Sequence, residues 1–322
     1  TIRIPEGLPT QTFAQIGAWL DPQDFDDRVR MPRAVFRAPL DGAECIIASP
    51  IGGPIYIDLP NEAVRGRTVS IEIRGGIEMP RFRLGHSDLK EWQQRTRSLL
   101  APWAELESDE LVFTLPADAI RDLDRPDLVM EHWNRVHAAM QAMEPRSPHH
   151  WPDRQYRYVA ERRLSWGYMY CPANAPIVIP MNEARPIVEV ANFDAEGANE
   201  LWGQYHEMGH SHQNHLWTFA GTGEVTVNIF TVLTLNTVNG YPLDDPSMRT
   251  DSAHALARMI EHRANGAPFD KWRSDPFLAL QTYALLWHTF GWDAFRDTFR
   301  SYDSMPEHQR PKTDEEKRDV FV

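Results

Sequence analysis

Residues 198–215 read ANELWGQYHEMGHSHQNH, and the pentapeptide His206-Glu207-Met208-Gly209-His210 stands in the middle of them. The stretch has helical spacing, with Leu201, Tyr205 and Met208 forming an apolar stripe and Asp194 or Asn199 available as caps near its start. Residues four apart on an α-helix lie one above the other, so His206 and His210 offer two imidazole nitrogens to a single ion. Glu207 follows the first histidine at about 100 degrees round the helix. Its carboxylate is thereby set beside the metal, where it holds a water without taking a ligand position, as a general base must. The ligand types suit zinc best, and the reaction class is hydrolysis, with Glu207 taking a proton from a water that the ion has acidified.

A third protein ligand is needed, with a fourth position left open. Glu224 is the candidate. It follows the glycine-containing turn Ala220-Gly221-Thr222-Gly223 and opens a second helical run, Glu224-Val225-Thr226-Val227-Asn228-Ile229-Phe230. Asn228 shares its face, four residues on, and is placed to support the ligands. Gly209 costs roughly 1 kcal/mol against Ala inside a helix, which predicts close approach of another backbone or a substrate. His212 falls on the far side of a regular helix from the metal-facing stripe, and His215 reaches the site only if the helix has ended, so both are expected to be packed or solvated.

Composition limits what this motif serves. The chain has 322 residues, 42% of them hydrophobic, which supports one large domain or two ordinary ones with a sizeable core. A formal charge of −13 and the lack of any Lys/Arg block exclude a nucleic-acid surface. No run approaches the roughly eighteen apolar residues of a membrane helix, so no transmembrane segment is expected. Two cysteines, Cys45 and Cys171, make neither a disulfide framework nor a cysteine zinc site, and two unpaired thiols are expected. No charged-then-apolar leader precedes Thr1, so a signal peptide is either absent or removed.

From Ala34 to Leu84 short apolar runs alternate with Gly and Pro turns, Gly52-Gly53-Pro54 and Gly75-Gly76 among them, and this reads as β-sheet. After Trp92 the texture turns helical over Asp88 to Leu100, Asp118 to Leu123 and Leu128 to Met143, the last closed by Pro145 and Pro148. An aromatic segment, Trp166 to Pro172, leads into a buried strand at Ile177-Val178-Ile179 and points to a cleft wall. The fold class is therefore α+β, with a β-rich portion over residues 1–85 and a mainly helical catalytic domain over 86–322.

These residues carry a resemblance. His206 to Gln213, then Trp217, then Gly223 to Phe230 resemble the signature of the peptidase M60 family, the enhancin and mucin-degrading metallopeptidases. Ser49-Pro50-Ile51-Gly52-Gly53-Pro54-Ile55-Tyr56-Ile57, Ala101-Pro102-Trp103-Ala104-Glu105-Leu106 and Gly291-Trp292 resemble further landmarks of that family in the same order. The resemblance implies a gluzincin-type zinc metallopeptidase, with His206, His210 and Glu224 as ligands to one zinc ion and Glu207 as base. It also implies glycoprotein or mucin-type O-glycosylated substrates and secretion or surface display. Tyr170 to Pro176 departs from the family's pattern before the strand, which leaves specificity open, and the chain stops at Val322 where relatives run on, which implies a shortened C-terminal end.

Tyr168, Tyr170, Tyr283 and His288 are candidates for stabilising the tetrahedral intermediate, and the sequence does not choose among them. Among eleven tryptophans, Trp217 directly follows the motif helix and is the first to consider for stacking on a sugar, burial being the commoner fate. Two other functions fit the same resemblance: a noncatalytic glycan- or protein-binding module, and a gluzincin peptidase without glycan dependence.

Overall fold

The computed structural model describes residues 1–19, 35–60, 66, 68–145, 155–172, 175–245, 248 and 250–321, and the fold is mixed α/β. Ala34 and Pro148, two bounds of the sequence reading, lie outside the described residues. Close contacts divide the chain into two units. The first comprises Thr1–Pro126, Arg157–Tyr168 and Val178–Arg185; the second comprises Asp127–Tyr156, Met169–Ile177 and Pro186–Val322.

Strands dominate the first unit. Two small antiparallel sheets come from the N-terminal part. One pairs β1 (Ile2–Arg3) with β4 (Glu44–Cys45) and β6 (Glu72–Ile73); the other sets β2 (Phe13–Ile16) between β3 (Phe36–Pro39) and β5 (Ile55–Asp58). Ile2, Ala14 and Leu40 are the buried centre between these strands. The glycines flanking β2 and β5 are needed for close backbone approach. A Cβ on Gly53, whose φ is +133°, would lie 2.9 Å from the Gly17 Cα, and the Gly17 amide donates to the Pro54 carbonyl at 2.9 Å.

A five-stranded sheet, in the order β11-β10-β9-β8-β7, is built from Arg81–Arg83 (β7), Trp103–Glu107 (β8), Leu111–Pro116 (β9), Tyr156–Glu161 (β10) and Ile177–Pro180 (β11). Strand structure thus continues well beyond residue 85. The hairpin between β8 and β9 turns at Ser108, whose hydroxyl accepts from the amides of Glu110 and Leu111 at 3.2 and 3.1 Å. Glu105 is buried on this sheet and is satisfied by three donors: Arg157 at 2.6 Å, Tyr56 at 2.7 Å and Thr114 at 2.8 Å. A carboxylate removed from water requires such pairing.

Of the helices expected between residues 88 and 123, Leu89–Gln94 forms, capped by the Asp88 side chain on the Glu91 amide. Around Asp118 the chain makes only a 3₁₀ turn, Ala117–Ala119.

Helices make up most of the second unit. Pro126–Met143 opens on proline, whose missing N–H costs nothing in a first turn. Trp202–His210 is the motif helix, preceded by a 3₁₀ turn at Ala198–Leu201. Gly223–Thr237 is buried continuously from Val225 to Leu235, with Thr226, Asn228, Thr231 and Thr234 among the apolar side chains, and burial on every face belongs to a helix in the centre of a core. Ser252–Ala264 and Phe269–Ser274 follow. Pro276–Ser304 is two helical runs broken at Gly291, where φ is +73° and a glycine is needed, and Asp314–Phe321 comes last. No helix among the described residues is long and apolar enough to cross a membrane.

Candidate metal centre

The motif helix and the central helix meet at Gly209. A Cβ there would lie 3.0 Å from both the Val227 Cγ2 and the Val227 carbonyl oxygen, and 3.2 Å from the Phe230 Cβ. The close approach predicted from this glycine is therefore that of the next helix. It brings the first turn of Gly223–Thr237 against His206 and His210.

His206, His210 and Glu224 come together, with one ligand atom from each lying within 4.8 Å of the others. The His206 Nε2 is 3.0 Å from one Glu224 oxygen and the His210 Nε2 is 3.7 Å from the other. Ligand atoms about 2.0–2.1 Å from a tetrahedral zinc stand about 3.3 Å apart, so these separations bracket what an ion would impose.

The tautomers follow from the surrounding amides. Asn228 donates its Nδ2 to the Glu224 carbonyl at 2.8 Å, which leaves its Oδ1 to accept from the His206 Nδ1 at 2.9 Å. Gln213 donates its Nε2 to the Gly223 carbonyl and the Thr226 hydroxyl, both at 2.7 Å, which leaves its Oε1 to accept from the His210 Nδ1 at 2.7 Å. Both rings therefore carry their proton on Nδ1 and turn an Nε2 lone pair toward Glu224. A lone pair facing a carboxylate oxygen at 3.0 Å requires a proton or a cation between them. The donor set fits a divalent metal. The electrostatics agree: burial opposes charge on His206, yet Glu224 and Asn228 outweigh it and hold its pKa above the ordinary imidazole value, while His206 holds Glu224 below the usual carboxylate range.

Glu207 is 7% exposed. Burial pushes its pKa up to about 7 against the pull of His206, and the Cys171 backbone amide hydrogen-bonds to its carboxylate. The segment supplying that amide crosses the motif helix. Gly203 makes room for it, since a Cβ there would strike the Met169 sulfur and methyl at 2.9 and 2.8 Å. The Cys171 thiol, 3.2 Å from the Ser211 hydroxyl, is pushed up to about 12 by burial and is inert as a nucleophile. Cys45 and Cys171 are both free thiols.

The remaining candidates are placed elsewhere. His212 is fully buried, donates to the Met208 carbonyl at 3.1 Å and stacks on Tyr156; His215 is exposed. Trp217 is a core residue, stacked on Phe299 with ring centroids 4.1 Å apart and donating to Glu144 at 2.8 Å. His288 is engaged by the Thr250 carbonyl at 2.8 Å and by Asp244 at 3.5 Å, and Tyr283 is buried against Phe295 and Phe321. Tyr168 is 58% exposed and donates to Glu183 at 2.5 Å; Tyr170 is half-buried. Gln213 and the Cys171 amide, which bond to His210 and Glu207, are not singled out by sequence reading. Gln213 stands three positions past His210, just beyond the end of the motif helix, and that spacing is the one signal for it.

The family profile described as Peptidase M60, enhancin and enhancin-like, matches residues 75–322. The chain is 30% identical over 294 residues to the mouse TRPM8 channel-associated factor 2, covering 90% of this chain and 31% of that protein. It thus spans under a third of the length of this curated relative. Among solved structures, a functionally unknown conserved protein from Bacillus anthracis superposes with a TM-score of 0.68 at 20% identity, covering 100% of this chain and 63% of that one. The M60 catalytic domain of ZmpC from Clostridium perfringens, in complex with the sialyl T antigen, superposes at 0.58 with 18% identity, covering 100% of this chain and 65% of that one.

Proposed function

The chain belongs to the peptidase M60 family, and from that premise we propose that it is a zinc metallopeptidase that hydrolyses peptide bonds in glycoproteins, mucin-type O-glycosylated ones above all. The observation that carries the reading is the convergence of His206, His210 and Glu224 within 4.8 Å, with both imidazoles oriented through their Nδ1 atoms. His206, His210 and Glu224 would hold one zinc ion, which would supply Lewis acidity for activating water and polarising the scissile carbonyl.

Glu207 is the general base. Its position next to His206 puts the carboxylate beside the ligand cluster, and the Cys171 amide fixes one side of it. It takes a proton from the attacking water and returns it to the leaving amine, which needs a carboxyl that both binds and releases a proton near the working pH. Asn228 and Gln213 keep the two rings in the ligating tautomer.

The glycoprotein substrate and secretion or surface display rest on the family and on the glycan complex of ZmpC. A second reading, a noncatalytic module that binds a protein partner, draws on the channel-associated relative. Both readings, and that of a peptidase indifferent to glycans, are separated by one experiment. An O-glycosylated mucin domain and its enzymatically deglycosylated form are incubated with wild type and Glu207→Ala, and zinc is measured on both proteins. About one zinc on each, with cleavage by wild type of the glycosylated form alone, supports the proposal. Equal cleavage of both forms removes the glycan requirement. Zinc without cleavage favours the binding module, and a wild type that takes up no zinc rejects the site.

A further inference from the structure

Beyond its contacts with His206 and His210, the position of the Glu224 carboxylate is set by its backbone. Its side chain is 65% exposed, and Thr222, the N-cap of its helix, makes no side-chain capping bond. Where its carboxylate stands depends on where the preceding turn starts the helix.

That turn is held from outside by the last helix, Asp314–Phe321. The Asp314 carboxylate accepts from the Ala220 amide through both oxygens, at 3.0 and 3.2 Å. The Lys317 ammonium donates to the Thr218 carbonyl at 2.6 Å and lies 3.6 Å from Asp314. Both side chains are well covered, 25% and 14% exposed, so these charge-assisted bonds are stronger than an open surface pair. The helix is itself pinned: the Tyr302 hydroxyl donates to the Lys317 carbonyl at 2.5 Å, and the Phe321 ring packs edge-on to Tyr283 and Phe295. Inside the turn, Thr218 donates to the Asn214 carbonyl and Gln213 to the Gly223 carbonyl. The turn is thus fastened to the motif helix on one side and to the last helix on the other.

We infer that Asp314 and Lys317 are positioning residues of the metal centre, setting the turn 218–222 and through it the carboxylate of Glu224. The inference rests on the reading of Glu224 as a metal ligand. A purely stabilising contact would lower the unfolding midpoint and leave the ligand field alone; a positioning contact changes the ligand field of a folded protein.

The test uses the full chain loaded with cobalt(II), whose visible absorption reports ligand geometry, together with zinc affinity measured against a chromophoric chelator. Asp314→Ala and Lys317→Met are expected to weaken zinc binding, by less than the roughly tenfold lower range for loss of a partner bonded to a ligand itself, and to alter the cobalt bands. Asp314→Asn keeps an oxygen for the Ala220 amide and should recover most of the affinity. Arg318→Ala, on the same helix and paired with Asp319, should match wild type. Unchanged affinity and spectrum in Asp314→Ala and Lys317→Met, beside a Glu224→Ala variant that loses zinc, would overturn the inference and leave the ligand reading standing. A Glu224→Ala variant that keeps wild-type affinity would overturn both. Should Asp314→Ala not fold, Lys317→Met and Asp314→Asn carry the comparison.

Discussion

The Gln213 side chain bonds to the His210 ring at 2.7 Å through its oxygen while its nitrogen holds the first turn of the helix bearing Glu224. One amide therefore fixes a tautomer and couples two ligands. Gln213→Ala should weaken zinc binding by about 10–100-fold, with Gln213→Glu giving a different result, because a carboxylate accepts from His210 but offers no donor to the Gly223 carbonyl. Chelator competition on the two variants distinguishes the roles. Wild-type affinity in Gln213→Ala would show that the amide does not matter.

Gly209→Ala tests the contact between the two helices. Its Cβ would meet the Val227 carbonyl and methyl at 3.0 Å, and overpacking of this kind costs about 1–3 kcal/mol. Adding Val227→Ala removes the methyl but not the carbonyl, so relief should be partial. Urea unfolding of the single and double variants gives the numbers, and full rescue would contradict the backbone contact.

His132 predicts an acid-side loss of stability. The ring is buried, stacked on Phe193 at 4.0 Å and bonded to the Tyr205 hydroxyl at 2.9 Å. Burial, and then the charge of Arg135, lower its pKa to about 3. The unfolded chain takes up a proton below about 6.5 and the folded one does not until about 3, so this contribution is complete above pH ~6.5 and falls by up to ~1.4 kcal/mol per pH unit between those limits. His132→Phe should flatten that part of the profile, read as unfolding midpoints at several pH values. An unchanged slope would place the acid sensitivity elsewhere.

Trp217→Phe removes one donor from the fully buried Glu144. A cost of about 1–3 kcal/mol is expected for a buried acceptor deprived of a partner. Zinc affinity should stay within about twofold, since second-sphere losses of 10–100-fold arise from partners of the ligands themselves and Trp217 packs in the core. Thermal unfolding and metal titration, run together, check both halves.

The grouping of His206, His210 and Glu224 is legible in the sequence because its logic is local. Two histidines four apart, a turn rich in glycine and a carboxylate opening the next apolar run require only helical periodicity, and Asn228 follows by the same rule. The hairpin from Trp103 to Pro116 is not legible. Leu111-Val112-Phe113-Thr114-Leu115 is buried on both faces, so it lacks the alternation that announces a strand. Glu105 looks like a solvent-facing residue, and its buried state is stabilised by Arg157, a partner 52 positions away. The Asp314 and Lys317 contacts, which lie 94 and 99 positions from their partners, are hidden for the same reason.

The helix Gly223–Thr237 carries the proposed ligand and much of the buried core on one element. Ten apolar and small polar side chains from Val225 to Thr234 are sealed in the interior, whereas Glu224 projects from the rim and is mostly solvated. Were Glu224 the ligand proposed here, one exposed substitution would remove it from the metal site without endangering the scaffold.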